Sequence, residues 1–181
     1  MNRFIIADAT RCIGCRTCEV ACAVSHQEKQ DCSALTSQTF LSRIHVVKSG
    51  NISTATMCRQ CEDAPCARVC PNRAIERASD FIHVKQERCI GCKTCVVACP
   101  YGAMEVVVRP VFHSSGTGLT SRSDKAEASK CDLCNHREAG PACIEVCPTN
   151  AIVCIDRSRL EQLRADKRLQ TALSFPGSLT C

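Results

Sequence analysis

The sequence predicts an α+β chain built as two pseudo-symmetric modules, the second nested within the first. Three observations predict it. Cysteine supplies 19 of the 181 residues, far above ordinary usage. Sixteen of those cysteines fall into four runs of four, and two of the runs are near copies. The apolar stretches around them are short and alternating, a pattern of brief strands rather than long helices.

The repeats come first. Arg11-Cys12-Ile13-Gly14-Cys15-Arg16-Thr17-Cys18-Glu19-Val20-Ala21-Cys22 recurs at 88–99, with ten of twelve positions identical. Both copies read C-x2-C-x2-C-x3-C. Cys58, Cys61, Cys66 and Cys70 form a second kind of run, with four residues between the second and third cysteines. Cys131, Cys134, Cys143 and Cys147 form another, with eight. Pro71, Pro100 and Pro148 follow the last cysteine in three of the four runs. Only Cys32, Cys154 and Cys181 lie outside them.

Composition limits what the runs can be. Without its cysteines the 45% apolar content falls to roughly a third, so disulfides or metal must supplement a thin core. The odd count and the short apolar run before Asp8 argue against an exported, disulfide-bonded protein. A cytoplasmic chain is expected, where dense cysteine reads as metal binding. No stretch approaches the length of a membrane span. With one Tyr, no Trp and five Phe, there is little to stack on bases, which excludes nucleic acid as a partner. The formal charge of +5 treats thiols as neutral; four bound clusters would bring it to about −3.

Two metals compete for the runs. Zinc needs two Cys pairs, and the third Cys two residues further on, followed by Cys-Pro, is superfluous there. A [4Fe–4S] cube needs one thiolate per iron. Three closely spaced cysteines on a curled loop serve three irons, and the fourth comes from the partner run. Gly14 and Gly91 let that loop turn tightly. Every run keeps its second cysteine (Cys15, Cys61, Cys92, Cys134), so no three-iron cluster is expected. Four [4Fe–4S] clusters are the reading.

Loop lengths decide which runs pair. Eighteen residues separate Cys70 from Cys89, and they read as a hairpin around Ser79-Asp80. The gaps 23–57 and 100–130 are longer. Runs two and three therefore form an inner bacterial two-cluster ferredoxin-like module over 52–110. Runs one and four form an outer one over 1–30 and 124–156. The expected ligand sets are Cys12, Cys15, Cys18 with Cys147; Cys131, Cys134, Cys143 with Cys22; Cys58, Cys61, Cys66 with Cys99; and Cys89, Cys92, Cys95 with Cys70. Sequential pairing, first run with second and third with fourth, stays open as the alternative.

Short helices are expected after the third cysteine of each run, as over 17–24 and 94–98. Strands are expected at 4–7, 44–48, 52–56, 81–84, 104–108 and 151–155. Ser49-Gly50-Asn51 marks a hairpin turn. Residues 114–123, rich in Ser, Thr and Gly, read as a flexible insertion. A basic helix with Leu160, Leu163 and Leu169 is expected over 157–170, followed by a loose tail to 181. Cys154 reads as a small buried hydrophobe, and Cys32 and Cys181 as non-ligands. His26, His45, His83, His113 and His136 lack ligand spacing, and His136 reads as a surface residue. No dinucleotide fingerprint or phosphate loop is present. No catalytic residue is assigned: the chain reads as a non-catalytic electron carrier.

The four runs in this order, with Cys-Arg-Gln-Cys-Glu-Asp-Ala-Pro-Cys at 58–66 and Lys-Cys-Asp-Leu-Cys at 130–134, resemble the four-cluster electron-transfer subunits of molybdopterin oxidoreductases. The opening Met1 to Asp8 and residues 88–108 resemble, more closely, the small iron–sulfur protein of enterobacterial formate hydrogenlyase systems. That resemblance implies the same nested pairing. It also implies formate dehydrogenase and hydrogenase as partners, with electrons passing between them. The other readings it leaves open are service to a different molybdopterin oxidoreductase and assembly of formate dehydrogenase or hydrogenase. Ala23 stands where the pattern has Pro, which puts the turn after Cys22 in doubt.

Overall fold

The computed structural model describes residues 2–27, 29–114 and 120–174. Helices and strands are mixed, as expected, and the strands form four separate two-stranded antiparallel sheets. Strand β1 (Phe4–Ala7) lies against β8 (Ile152–Ile155), Phe4 opposite Ile155 and Ala7 opposite Ile152. The first strand and the last are thus held in one ladder. Hairpin β2 (Ile44–Ser49) and β3 (Ile52–Met57) turns on Gly50-Asn51. Gly50 takes a positive φ of 55° while Asn51 does not, the Gly-first pattern of a type II′ turn. The hairpin spans position 52 and packs on β1 and on helix α1 (Thr17–Ser25). Strands β4 (Ile75–Arg77) and β5 (Ile82–Val84) flank Ser79-Asp80.

The short helices carry the third cysteine of each run rather than following it. They are α1, α2 (Pro65–Arg68), α3 (Thr94–Ala98) and α4 (Ala142–Glu145). Helix α1 packs on α4, and α2 on α3. Two-stranded sheets are marginal alone, so the layer between them must supply the cohesion. One apolar cluster joins Ile5, Ile44, Val46, Met57, Phe81 and Ile152 with cysteines 18, 22, 58, 131 and 143. A second joins Ile75, Ile82, Met104 and Ala128 with Cys66 and Cys95. Full burial of Ile5, Ile44 and Met57 contributes about 1.5–3 kcal/mol each.

Two expectations change. The strand expected over 104–108 is a ten-residue strand, β6 (Glu105–Ser114), and it pairs with β7 (Thr120–Ser129), which the sequence reading missed. Positions 114 and 120–123 of the expected insertion therefore lie in strand, and 115–119 lie outside the described residues. The reason is that β7 is polar along its length, so it shows no apolar alternation. Its register comes from the backbone ladder, from the cross-strand pair Arg109–Glu127 (3.8 Å), and from Ala128, buried beneath it. Helix α5 (Arg157–Leu173) runs three residues beyond the expected end. Asp156 caps it, Oδ1 accepting from Arg159 N at 2.8 Å. No described helix is long and apolar enough to cross a membrane.

Candidate metal centres

Each C-x2-C-x2-C loop is curled by residues in the left-handed region. Gly14 and Arg16 take φ of 67° and 64°, and their repeat equivalents Gly91 and Lys93 take 68° and 63°. Gly14 and Gly91 are needed for space as well as conformation. A Cβ on Gly91 would overlap Ala126 Cβ, and one on Gly14 would lie 2.5 Å from Lys48 Cε.

The segments after Cys70, Cys99 and Cys147 share a second device. In each, the third residue on donates its amide to the cysteine carbonyl: Arg73 (3.2 Å), Gly102 (3.3 Å) and Asn150 (3.1 Å). Each of those three takes a positive φ. The following alanine then aims its amide at the cysteine sulfur: Ala74 to Cys70 (3.3 Å), Ala103 to Cys99 (3.4 Å) and Ala151 to Cys147 (3.3 Å). Proline after the cysteine favours the turn. After Cys22, where Ala23 replaces Pro, α1 continues to Ser25 instead. The amide at Cys22 Sγ then comes from another segment, Arg43 N at 3.3 Å. That resolves the turn left in doubt by Ala23.

The tertiary structure brings the expected sets together. One cavity has Cys70, Cys89, Cys92 and Cys95 in its wall. A second has Cys12, Cys15, Cys18 and Cys147. A third has Cys22, Cys131, Cys134 and Cys143. Cys61 and Cys66 lie close enough to Cys58 and Cys99 for their charges to interact. Cys32 is exposed, and Cys154 is half-buried between β1 and β8; neither joins a set. Cys181 lies outside the described residues.

The donor chemistry fits a cluster rather than a disulfide. Every described cysteine is free. Burial pushes the Cys18 and Cys66 thiols up to about 11 and Cys131 up to about 12, and Cys143 is raised as well. Buried thiols held this way become thiolates only when a cation takes the proton's place. The sulfurs at the rim differ. Cys15 and Cys92 are exposed and lowered, first by the hydroxyls of Thr17 (3.3 Å) and Thr94 (3.0 Å) at equivalent positions of the repeat. Amides and hydroxyls around the sulfurs are groups that tune a cluster.

Two family models, each described as a 4Fe-4S binding domain, match residues 9–25 and 81–104. The electron transport protein HydN of Escherichia coli (strain K12) is 75% identical over 175 residues, covering 97% of this chain and 100% of that protein. The chain belongs to the HydN family of electron transport proteins. Formate hydrogenlyase subunit 2 of the same organism is also similar, 36% identical over 199 residues, covering 99% of this chain and 95% of that protein.

Beyond the cysteines, this member of the HydN family carries polar groups that spacing did not reveal. His26, one helical turn after Cys22, is 9% exposed at its side chain and bonds Asp132 Oδ1 through Nε2 at 3.0 Å. Asp132 also pairs with Arg43 and accepts from Cys134 N. Burial opposes charge on His26, but its bonds to Asp132 and Cys22 outweigh that and raise it to about 10. Asp132 is held well below the usual carboxylate range despite its burial, by His26 and Arg43. His136 is exposed, as expected, and its Nε2 lies 2.8 Å from Ser25 O. The missed signal was Ala23: without Pro the helix continues and places His26 on the face of Cys22.

Proposed function

We propose that this chain is a non-catalytic electron carrier with four [4Fe–4S] clusters, passing electrons between formate dehydrogenase and hydrogenase in the cytoplasm. The observation that carries the reading is that cysteines from two different runs line each of three cavities, while Cys61 and Cys66 lie near Cys58 and Cys99 of the remaining set. The ligand sets are Cys12, Cys15, Cys18 and Cys147; Cys22, Cys131, Cys134 and Cys143; Cys58, Cys61, Cys66 and Cys99; and Cys70, Cys89, Cys92 and Cys95. The first two belong to the outer ferredoxin-like module and the last two to the inner one. The pairing of β1 with β8 and the packing of α1 on α4 and α2 on α3 support that nesting.

Bound clusters supply reversible one-electron storage; the chain's residues decide where electrons enter and how each centre is poised. Exposed Cys15 and Cys92 sit beside exposed Ile13 and Ile90, at equivalent loops of the outer and inner modules. These loops are the two ends of the path. All four cysteines of the Cys22 set are buried, so that set lies inside it. The formate link rests on the similarity to HydN and to formate hydrogenlyase subunit 2.

The test is anaerobic. Cluster-loaded protein, with about 16 iron per chain for four cubes, is mixed with formate and a trace of formate dehydrogenase. Rapid bleaching of the visible absorbance is expected. Clusters that dithionite reduces but formate does not would overturn the formate link, and turn attention to another molybdopterin oxidoreductase or to assembly.

A further inference from the structure

Lys130 is 3% exposed and Gln60 is 2% exposed. Lys130 immediately precedes Cys131 of the outer module, and Gln60 lies between Cys58 and Cys61 of the inner one. The two meet at the seam. Lys130 Nζ donates to Cys131 O at 2.9 Å and to Gln60 Oε1 at 3.3 Å. Gln60 Nε2 donates to the same Cys131 carbonyl at 2.7 Å, while Gln60 Oε1 accepts from Ile82 N at 2.9 Å. Asn2 Nδ2 fixes the Gln60 carbonyl at 2.7 Å. Gln60 itself takes a positive φ of 51°, which the network must hold against its steric cost.

Among the described residues, the ammonium has no carboxylate partner. Asp132, on the same cavity wall, is already engaged by Arg43 and His26. A buried, unpaired ammonium is strongly unfavourable unless an anion lies near. The anions on offer are the thiolates of two ligand sets, one on each side of the seam. Lys130 Nζ is anchored on the carbonyl of Cys131, in one ligand set, and on Gln60, which lies between Cys58 and Cys61 of the other.

We propose that Lys130, held by Gln60, is a positioning charge that raises the reduction potential of the two central clusters together. These are the clusters of the Cys58–Cys61–Cys66–Cys99 and Cys22–Cys131–Cys134–Cys143 sets. Reduction adds one electron to a cluster and moves no proton, so the reduced form is more negative by one charge. The ammonium stabilises that form. The two centres flanking the module seam are thereby shifted in the same direction by one charge. This inference rests on the four-cluster reading.

The experiment is a mediated anaerobic redox titration of the cluster-loaded full chain, followed by electron paramagnetic resonance, with iron measured beforehand. Cys66→Ser and Cys143→Ser, each removing one central cluster, assign the signals. Lys130→Gln is expected to lower the reduced-to-oxidised ratio of both central clusters about tenfold at fixed potential, or about 59 mV for a one-electron couple. The two end clusters should stay put, and Lys130→Arg should behave as the native chain. No shift, a shift of one cluster or of all four, or a Lys130→Arg variant displaced as far as Lys130→Gln would each overturn the proposal. So would failure of Lys130→Gln to load iron, which would assign the residue to folding. A native chain without four clusters would instead overturn the proposed function.

Discussion

Replacing Gly91 by Ala separates two costs that glycine avoids in the cluster loops. Gly91 takes φ of 68°, and an added Cβ would overlap the Cβ of Ala126 on β7, with the Ala126 Cα at 3.5 Å. The left-handed conformation costs a non-glycine residue about 1–2 kcal/mol. Forcing β7 away from the loop adds about 1–3 kcal/mol of overpacking. The expected loss for Gly91→Ala is therefore about 2–5 kcal/mol. Gly102→Ala is the internal control. Its φ is 59°, and nothing lies within 4 Å of the added Cβ, so only the conformational cost of about 1–2 kcal/mol applies. Ala126→Gly in the Gly91→Ala background should restore the overpacking part and leave the rest. The assay is anaerobic guanidinium unfolding of the cluster-loaded chain, followed by visible absorbance and far-ultraviolet circular dichroism together. A Gly91→Ala variant no weaker than Gly102→Ala, or one that Ala126→Gly fails to rescue, would refute the reasoning. Gly14→Ala should fall between them, because the Lys48 side chain it meets can swing away while Ser53 Oγ at 2.8 Å has less freedom.

Other expectations follow from the same geometry. Cys66→Ser should lower the iron content from about 16 to about 12 per chain, while Cys32→Ser and Cys154→Ser should leave it unchanged; elemental analysis decides. Chelating the iron under denaturant-free, anaerobic conditions should give an expanded chain that binds a hydrophobic dye, because cysteines form so much of both apolar clusters. Retention of a cooperative unfolding transition by the metal-free chain would count against that. Of Ile13→Glu and Ile90→Glu, at least one should slow reduction by formate dehydrogenase about tenfold without changing iron content, as loss of an apolar docking contact does; stopped-flow bleaching with both variants at native rates would remove the end loops as docking sites. The Asp156 cap of α5 is held below the ordinary carboxylate range by the Arg159 amide and the Ser158 hydroxyl. Its contribution is present above the unfolded carboxylate pKa and lost as pH falls through the lowered folded value. Amide exchange in the first turn of α5 should therefore quicken in acid, and Asp156→Asn should abolish that dependence.

Spacing pointed to the ligand sets because chelation by a loop is local. Three thiolates must arrive within a few residues, and in three of the four runs the last cysteine precedes a proline turn whose geometry is set by Pro and by the residue before the alanine. Loop length favoured nested over sequential pairing, since an 18-residue link fits one hairpin. The hairpin β6–β7 was not legible on its second strand, where Lys125, Glu127 and their neighbours are held by a backbone ladder that any sequence can form. His26 was invisible for a different reason: its role depends on Asp132, more than a hundred residues away.

The sequence by itself determined the cysteine inventory, the tight glycine turns and the short elements that carry the thiols, because each depends on covalent geometry within a few residues. Only the tertiary structure decided that Lys130 and Gln60 meet in a buried seam, that Arg43 supplies the amide missing after Cys22, and that Ala126 closes on Gly91. Those are contacts between distant segments, and their consequence depends on burial: a charge that water would screen at the surface acts at close range inside a core with few other polar groups.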